Sequence, residues 1–283
     1  MGDEALVCAA ALSDSRRADG CAQHRAAPAT PYSLEMAPFG VPEIVASVAG
    51  ARSVLDVGCG SARLTLALAD AGATQVVGVD TSLDRLTQGR ARISTHAVGG
   101  RVQLFEADFD RALPFADGRF GAAVSRLALM IASDPVATLR ELRRVTAPGE
   151  RIVTALWAPV GENAWFALPR AAAAAVLGND RADYARSFGR LGSLDEATEV
   201  HRAAGLTDVR AETLRNKLDV QHAAGLWRWM VSQNGHVRRL DASLTASERA
   251  AVLDELHRRA AEHRADDGSL ALARAMTLVI ATA

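Results

Sequence analysis

The chain has 283 residues, a hydrophobic content of 49% and a formal net charge of -1. That length accommodates one large domain, or a core with a small appended cap. The near-neutral charge excludes a bulk electrostatic pull toward nucleic acid or an anionic membrane.

Residues 1–30 are Ala-rich and mixed in charge, with Pro28 and Pro31 near their end. They read as a mobile N-terminal arm, either a loose terminus or a segment that closes over a ligand. Leu6 to Leu12 is apolar but short and follows Asp3-Glu4, so a signal peptide is not expected. No stretch is long enough to span a bilayer. Cys8, Cys21 and Cys59 show neither metal-ligand spacing nor a disulfide framework, so no metal is expected. A reducing cytoplasm fits best.

Residues 34–49 read as a helix beside the first strand. Val54-Leu55-Asp56-Val57-Gly58-Cys59-Gly60-Ser61-Ala62-Arg63 then runs from an apolar strand through an acid into a glycine-rich turn, and a helix follows. Gly58 and Gly60 permit a sharp turn and close approach of a ligand. A dinucleotide loop of G-x-G-x-x-G type would place Gly or Ala where Arg63 stands. Asp56 would also be a poor neighbour for a pyrophosphate, but suits a ligand with ammonium and sulfonium groups. Its other reading is a strand-end carboxylate bonding nearby amides.

Val76-Val77-Gly78-Val79-Asp80 reads as the second strand, ending in an acid about twenty residues past the loop, the offset of a ribose ligand. Val102 to Phe109 reads as the third strand and its exit, and Ala122 to Ser125 as the fourth. The helix over Pro135–Thr146 has Ser133 or Asp134 as cap and Val136, Leu139, Leu142 and Val145 as its apolar stripe. Arg151 to Trp157 reads as the fifth strand.

After Trp157 the alternation breaks. Residues 161–190 and 194–204 read as helices, 209–214 as a strand, 221–234 and 245–264 as helices, and 271–281 as a closing strand. The inserted helices are expected to form a cap.

Asp56-Val57-Gly58-Cys59-Gly60-Ser61-Ala62 resembles motif I of the class I S-adenosylmethionine (SAM) dependent methyltransferases, and the later segments follow that family's order. The resemblance is dense over roughly residues 32–157. It is nearest the small-molecule group that includes ubiquinone-pathway and tailoring methyltransferases. It implies an α/β Rossmann-like, doubly wound, mostly parallel seven-stranded sheet with an inserted helical cap. In domain terms, residues 31–157 form the SAM-binding core. Residues 158–205 form a helical cap segment and the last core helix, and residues 206–283 the final strands with inserted cap helices.

By the same resemblance, Asp80 bonds the ribose hydroxyls, with Thr81 and Ser82 flanking the adenosine. Asp108 meets the adenine amino group, with Ala107 and Phe109 beside the ring; the alternative for Asp108 is a turn-forming aspartate. Gly58, Cys59 and Gly60 cradle the cofactor. Tyr32 touches its carboxylate or simply packs, and Arg126 lines the cleft or is solvated. Gly121 stands where many relatives carry an acid, and Met130 and Ile131 where many carry histidines.

Methyl transfer is an in-line displacement that needs alignment and exclusion of water. A base is needed only if the nucleophile must lose a proton. His222 is the base candidate; His201, His236, His257 and His263 read as exposed. Met130, Trp157, Trp165 and Trp229 are candidate substrate walls, and aromatic walls can stabilise a cationic methyl.

The expected activity is methyl transfer from SAM to O, C or N of a small metabolite in secondary-metabolite or cofactor biosynthesis, releasing S-adenosylhomocysteine (SAH). A non-enzymatic SAM-binding protein and a dinucleotide-dependent oxidoreductase are the alternatives. The expected partner is a small-molecule acceptor, with neither nucleic acid nor membrane. The acceptor and the oligomeric state are left open by the sequence.

Overall fold

The computed structural model describes residues 39–182 and 188–283. The first half alternates strictly: α1 (Val41–Ser47), β1 (Ser53–Val57), α2 (Arg63–Asp70), β2 (Gln75–Asp80), α3 (Leu83–Ser94), β3 (Val102–Glu106), β4 (Phe120–Arg126), α4 (Pro135–Val145) and β5 (Thr146–Trp157). Then come α5 (Ala164–Leu177), α6 (Asn179–Ala182), α7 (Leu194–Ala203), β6 (Thr207–Val220), α8 (Ala223–Gln233), α9 (Gly235–Ser243), α10 (Ala246–Ala260) and β7 (Leu270–Thr282).

The seven strands lie in the order β3-β2-β1-β4-β5-β7-β6. Strands β1 to β5 pair in parallel, while β7 runs antiparallel to both of its neighbours. The expected seven-stranded, doubly wound sheet is what the chain forms. Its strand order reverses between β1 and β4, where such sheets bind ligands at the carboxyl ends of the strands. Val54, Leu55, Val76, Val77, Ala123, Val124, Ile152 and Val153 are all buried. Their apolar runs do not alternate because helices cover both faces of the sheet.

Local signals explain most element ends. Asp134, one of the two expected caps of α4, accepts the Ala137 N–H at 3.0 Å. Leu139, Leu142 and Val145 of the expected stripe are fully buried. Thr245 and Glu248 form a capping box at the start of α10.

Several bounds differ from expectation. The third strand stops at Glu106, and the fifth begins at Thr146, before a register irregularity opposite Phe120 and Ala122. The strand expected at 209–214 runs from 207 to 220 because β7 pairs with it along its length. Helix α9 was not expected. Asn234 interrupts the helical run, and its Oδ1 accepts the N–H groups of His236 at 2.9 Å and Val237 at 3.3 Å, which starts a new helix. Of the helix expected at 34–49, residues 39–49 are described and Val41–Ser47 is helical, while Tyr32 and the N-terminal arm lie outside the described residues.

The last strands build upward from the ligand edge. Trp157 at the end of β5 pairs with Met276, yet β7 begins at Leu270 and β6 reaches Val220 opposite it. The β6–β7 ribbon therefore overhangs the carboxyl end of β5 by six residues of β7. Helices α8, α9 and α10 connect the overhanging ends and pack, through α10, on α5. This is the cap. Among the described residues no helix is long and apolar enough to cross a membrane.

Candidate active site

The turn after β1 is clasped from the side. Val79 O accepts the N–H groups of Gly58 at 2.8 Å and Cys59 at 3.0 Å. Gly58 has φ +73°, and a Cβ there would lie 2.2 Å from Ala128 Cβ. Both the conformation and the space demand glycine. Cys59 packs over Gly78 of β2, where an added Cβ would meet its Sγ at 2.9 Å. Burial, with Asp56 and Asp80 nearby, pushes the Cys59 thiol well above its ordinary range, so the group is inert.

Asp80 closes the loop from the end of β2. Its Oδ2 accepts the Gly60 N–H at 2.8 Å and its Oδ1 the Ser82 N–H at 2.9 Å. Each carboxylate oxygen has a second lone pair for a ligand hydroxyl. Ser82 caps α3 by accepting the Arg85 N–H. Thr81 is exposed and Ser82 half-buried beside it.

Asp56 is 1% exposed. The Thr65 hydroxyl donates to its Oδ2 at 2.7 Å. The N-cap of α2, Ala62, offers no side-chain oxygen, so Asp56 supplies a bond to that helix's first turn. Burial pushes the Asp56 carboxyl up to about 7, against the lowering effects of Thr65 and Arg126. Asp56 is thus tied to the first turn of α2 through the Thr65 hydroxyl.

Asp108 accepts the Asp110 N–H at 3.0 Å and pairs with Arg111 at 3.3 Å. Ala107 donates its N–H to Asp80 O at 3.3 Å, which brings the ends of β2 and β3 together. Phe109 and Met130 are buried. Leu83 and Ile131, just past β2 and β4, are instead 55% and 59% exposed.

Arg126 ends β4 and donates its Nε–H to Phe39 O at 3.1 Å. The Phe39 ring stacks on Trp157, with centroids 6.5 Å apart. Trp157 in turn meets Trp165 at 5.1 Å and Phe188 at 5.7 Å, and Trp165 meets Trp229 at 5.6 Å. The three tryptophans expected as pocket walls thus form one cluster joining β5, α5 and α8. Asn163 fixes it: its Oδ1 accepts Trp165 Nε1–H at 3.1 Å and the Ala275 N–H at 2.9 Å.

One histidine expectation needs correction. His201, read as exposed, is fully buried: its Nε2 lies 2.9 Å from Thr154 Oγ1 and its Nδ1 2.6 Å from Ala197 O. A one-turn amphipathic estimate misses that α7 lays this side chain on β5. Burial lowers its pKa to about 4. His222, the base candidate, is exposed and caps α8, its Nδ1 accepting the Gly225 N–H at 2.8 Å. It follows β6, four strand positions from β1, or roughly 19 Å across the sheet.

Sequence reasoning missed Phe39, Asn163, Phe188 and Arg274. Arg274 left a signal, a lone arginine inside the apolar run from Ala271 to Ile280. A cavity of about 520 Å³ between α5, α6 and α10 is lined by alanines with Arg170 and Arg259, and holds none of the expected site residues.

A family described as "Methyltransferase domain" matches residues 54–149, which run from β1 into the first residues of β5. An uncharacterized protein of Mycobacterium tuberculosis is 39% identical over 125 residues, and the match spans 43% of each chain. The chain thus covers under half the length of that relative. A demethylmenaquinone methyltransferase of Mycolicibacterium vanbaalenii is 35% identical over 181 residues, spanning 60% of this chain and 75% of that enzyme. The solved structure of the YcgJ protein from Bacillus subtilis shares the fold, with a TM-score of 0.58 at 17% identity over 86% of this chain and 97% of that one.

Proposed function

The chain belongs to the SAM-dependent methyltransferase family, and from that premise we propose that it transfers the methyl group of SAM to an O, C or N atom of a small metabolite. The observation that carries this reading is the loop between β1 and α2, closed by Asp80 through Gly60 and kept open to a ligand by Gly58.

The residues present suit the cofactor. Asp80 holds two backbone amides and retains acceptor capacity for ribose hydroxyls. Ala107 and Phe109 border the adenine side, while Asp56 and Arg126 border the methionine side. A cation held beside Asp56 would draw its carboxyl back to the ionised form, with release of a proton. Bound SAM supplies a methyl on a sulfonium, an excellent leaving group. The chain's share is then to fix the loop, hold the acceptor in line and keep water out. Trp157 ends β5 and Met130 stands past the end of β4, the positions from which side chains reach that axis. No residue is assigned as a base.

The test is calorimetric titration with SAH. Wild type should bind at micromolar concentration, and Asp80→Ala should weaken binding by roughly 2 kcal/mol, or about 30-fold, through loss of charge-assisted bonds and of loop closure. Unchanged affinity in a folded variant removes Asp80 from the site, and no binding by wild type removes the reading. Labelled SAM with a panel of metabolites then seeks the acceptor.

A further inference from the structure

Arg274 lies two residues before Met276, the partner of Trp157 at the end of β5. It therefore stands just past the carboxyl ends of the parallel strands, and it is only 8% exposed. Asn216 Oδ1 accepts its Nε–H at 2.5 Å, and its guanidinium carbon sits 4.7 Å from the Phe39 ring centre. Its Nη1 is buried and, among the described residues, has no hydrogen-bond partner. A buried cationic donor without an acceptor is costly, and native folds rarely keep one without a use.

A second guanidinium adjoins it. Arg126 holds the Phe39 carbonyl while Arg274 covers the Phe39 ring, so one residue is gripped by two cations. The charge of Arg274 acts on Arg126 and, after burial, lowers its pKa. Asp56 bears on Arg126 and Asp219 on Arg274. Asp56 already serves Thr65, and Asp219 is exposed on β6.

Position separates Arg274 from the cofactor loop. Arg126 is on β4, next to β1, while Arg274 is on β7, three strand positions from β1 and roughly 14 Å across the sheet. The positive charge thus runs from the loop toward the cap and ends against the aromatic cluster. Planar guanidinium groups match the fork of a carboxylate or a phosphate.

We propose that Arg274, with Arg126 behind it, seats an anionic group of the methyl acceptor, so that the substrate is an aromatic or apolar acid and not a neutral or cationic metabolite. The proposal rests on the methyltransferase reading. Arg274 is a specificity residue here: it fixes the acid while the aromatic wall fixes the body of the substrate.

The probes are benzoate and its neutral counterpart benzamide, titrated into the SAH-loaded protein. Benzoate should bind at least tenfold more tightly than benzamide. Arg274→Gln should erase that preference, lowering benzoate affinity by roughly tenfold or more, and leave SAH affinity unchanged. Retained SAH binding also certifies the variant's fold, and Arg274→Lys should restore part of the preference. Equal binding of the two probes by wild type, or a benzoate preference that survives Arg274→Gln, overturns the proposal. So does an Arg274→Gln variant that loses SAH affinity but keeps that for 5′-methylthioadenosine, because the arginine would then serve the cofactor's own carboxylate. Failure of wild type to bind SAH overturns the methyltransferase reading itself, and is seen before any acid is added.

Discussion

At the scale of single residues, Asp56 and His201 show how burial sets charge. The carboxyl of Asp56 rises from its ordinary 3.8 to about 7 on folding, so the folded state holds its proton more tightly. That contribution to stability is full below pH 3.8 and is lost as pH rises through 7. His201 falls from 6.5 to about 4, so its contribution is full above 6.5 and is lost as pH falls through 4. The two trends oppose each other between pH 4 and 6.5. Asp56→Asn keeps an acceptor for Thr65 and cannot ionise. Its effect on unfolding free energy should be more favourable at pH 8 than at pH 4 by roughly 3 kcal/mol, as measured by urea denaturation. An effect independent of pH would show that Asp56 does not ionise at a raised pKa.

Between these residues lies the boundary of what the sequence discloses. Asp56, Gly58 and Asp80 were legible because a strand, a turn and the next strand put them together within a short span. His201 was not, because its burial is decided by Thr154 on a strand it reaches only in three dimensions. Arg274 and Phe39 meet across almost the whole chain, so no local pattern could pair them.

At the scale of elements, the β1–α2 unit depends on one backbone conformation. Gly58→Ala would impose both a positive φ on a residue with a side chain and a collision with Ala128. The variant should lose roughly 2 kcal/mol or more of stability and should bind SAH more weakly. Thermal unfolding with and without SAH checks both, and a variant that matches wild type in both would mean the turn relaxes freely. The central strands were readable because their apolar runs persist on both faces. The ends of β6 were not, since a strand dotted with Arg210, Glu212, Arg215, Lys217 and Asp219 resembles a loop until β7 pairs with it. Those charges suit an edge strand, where they discourage pairing with another chain.

At the scale of the whole molecule, a Rossmann-like sheet supplies a cofactor edge and the β6–β7 overhang raises a cap above it. Trp165 is the point where these meet, touching Trp157 on the sheet and Trp229 on the cap. Trp165→Ala should cost about 3–5 kcal/mol in unfolding free energy yet change SAH affinity little, because the cofactor loop lies on β1 and β2. A large loss of SAH binding in the folded variant would tie the cluster to the cofactor instead. The sequence announced an inserted cap by its broken rhythm, but how it is anchored depends on which aromatics meet.

The antiparallel strand has a consequence in time. β7 fills the place between β5 and β6, so β6 has no neighbour in the sheet until β7 arrives. On synthesis, β1 to β5 can assemble as their residues emerge, whereas β6 and the three helices after it must wait for the last strand of the sheet. Arg274 comes with that strand. The half of the cleft proposed to choose the substrate is thus finished last, after the half proposed to hold the cofactor.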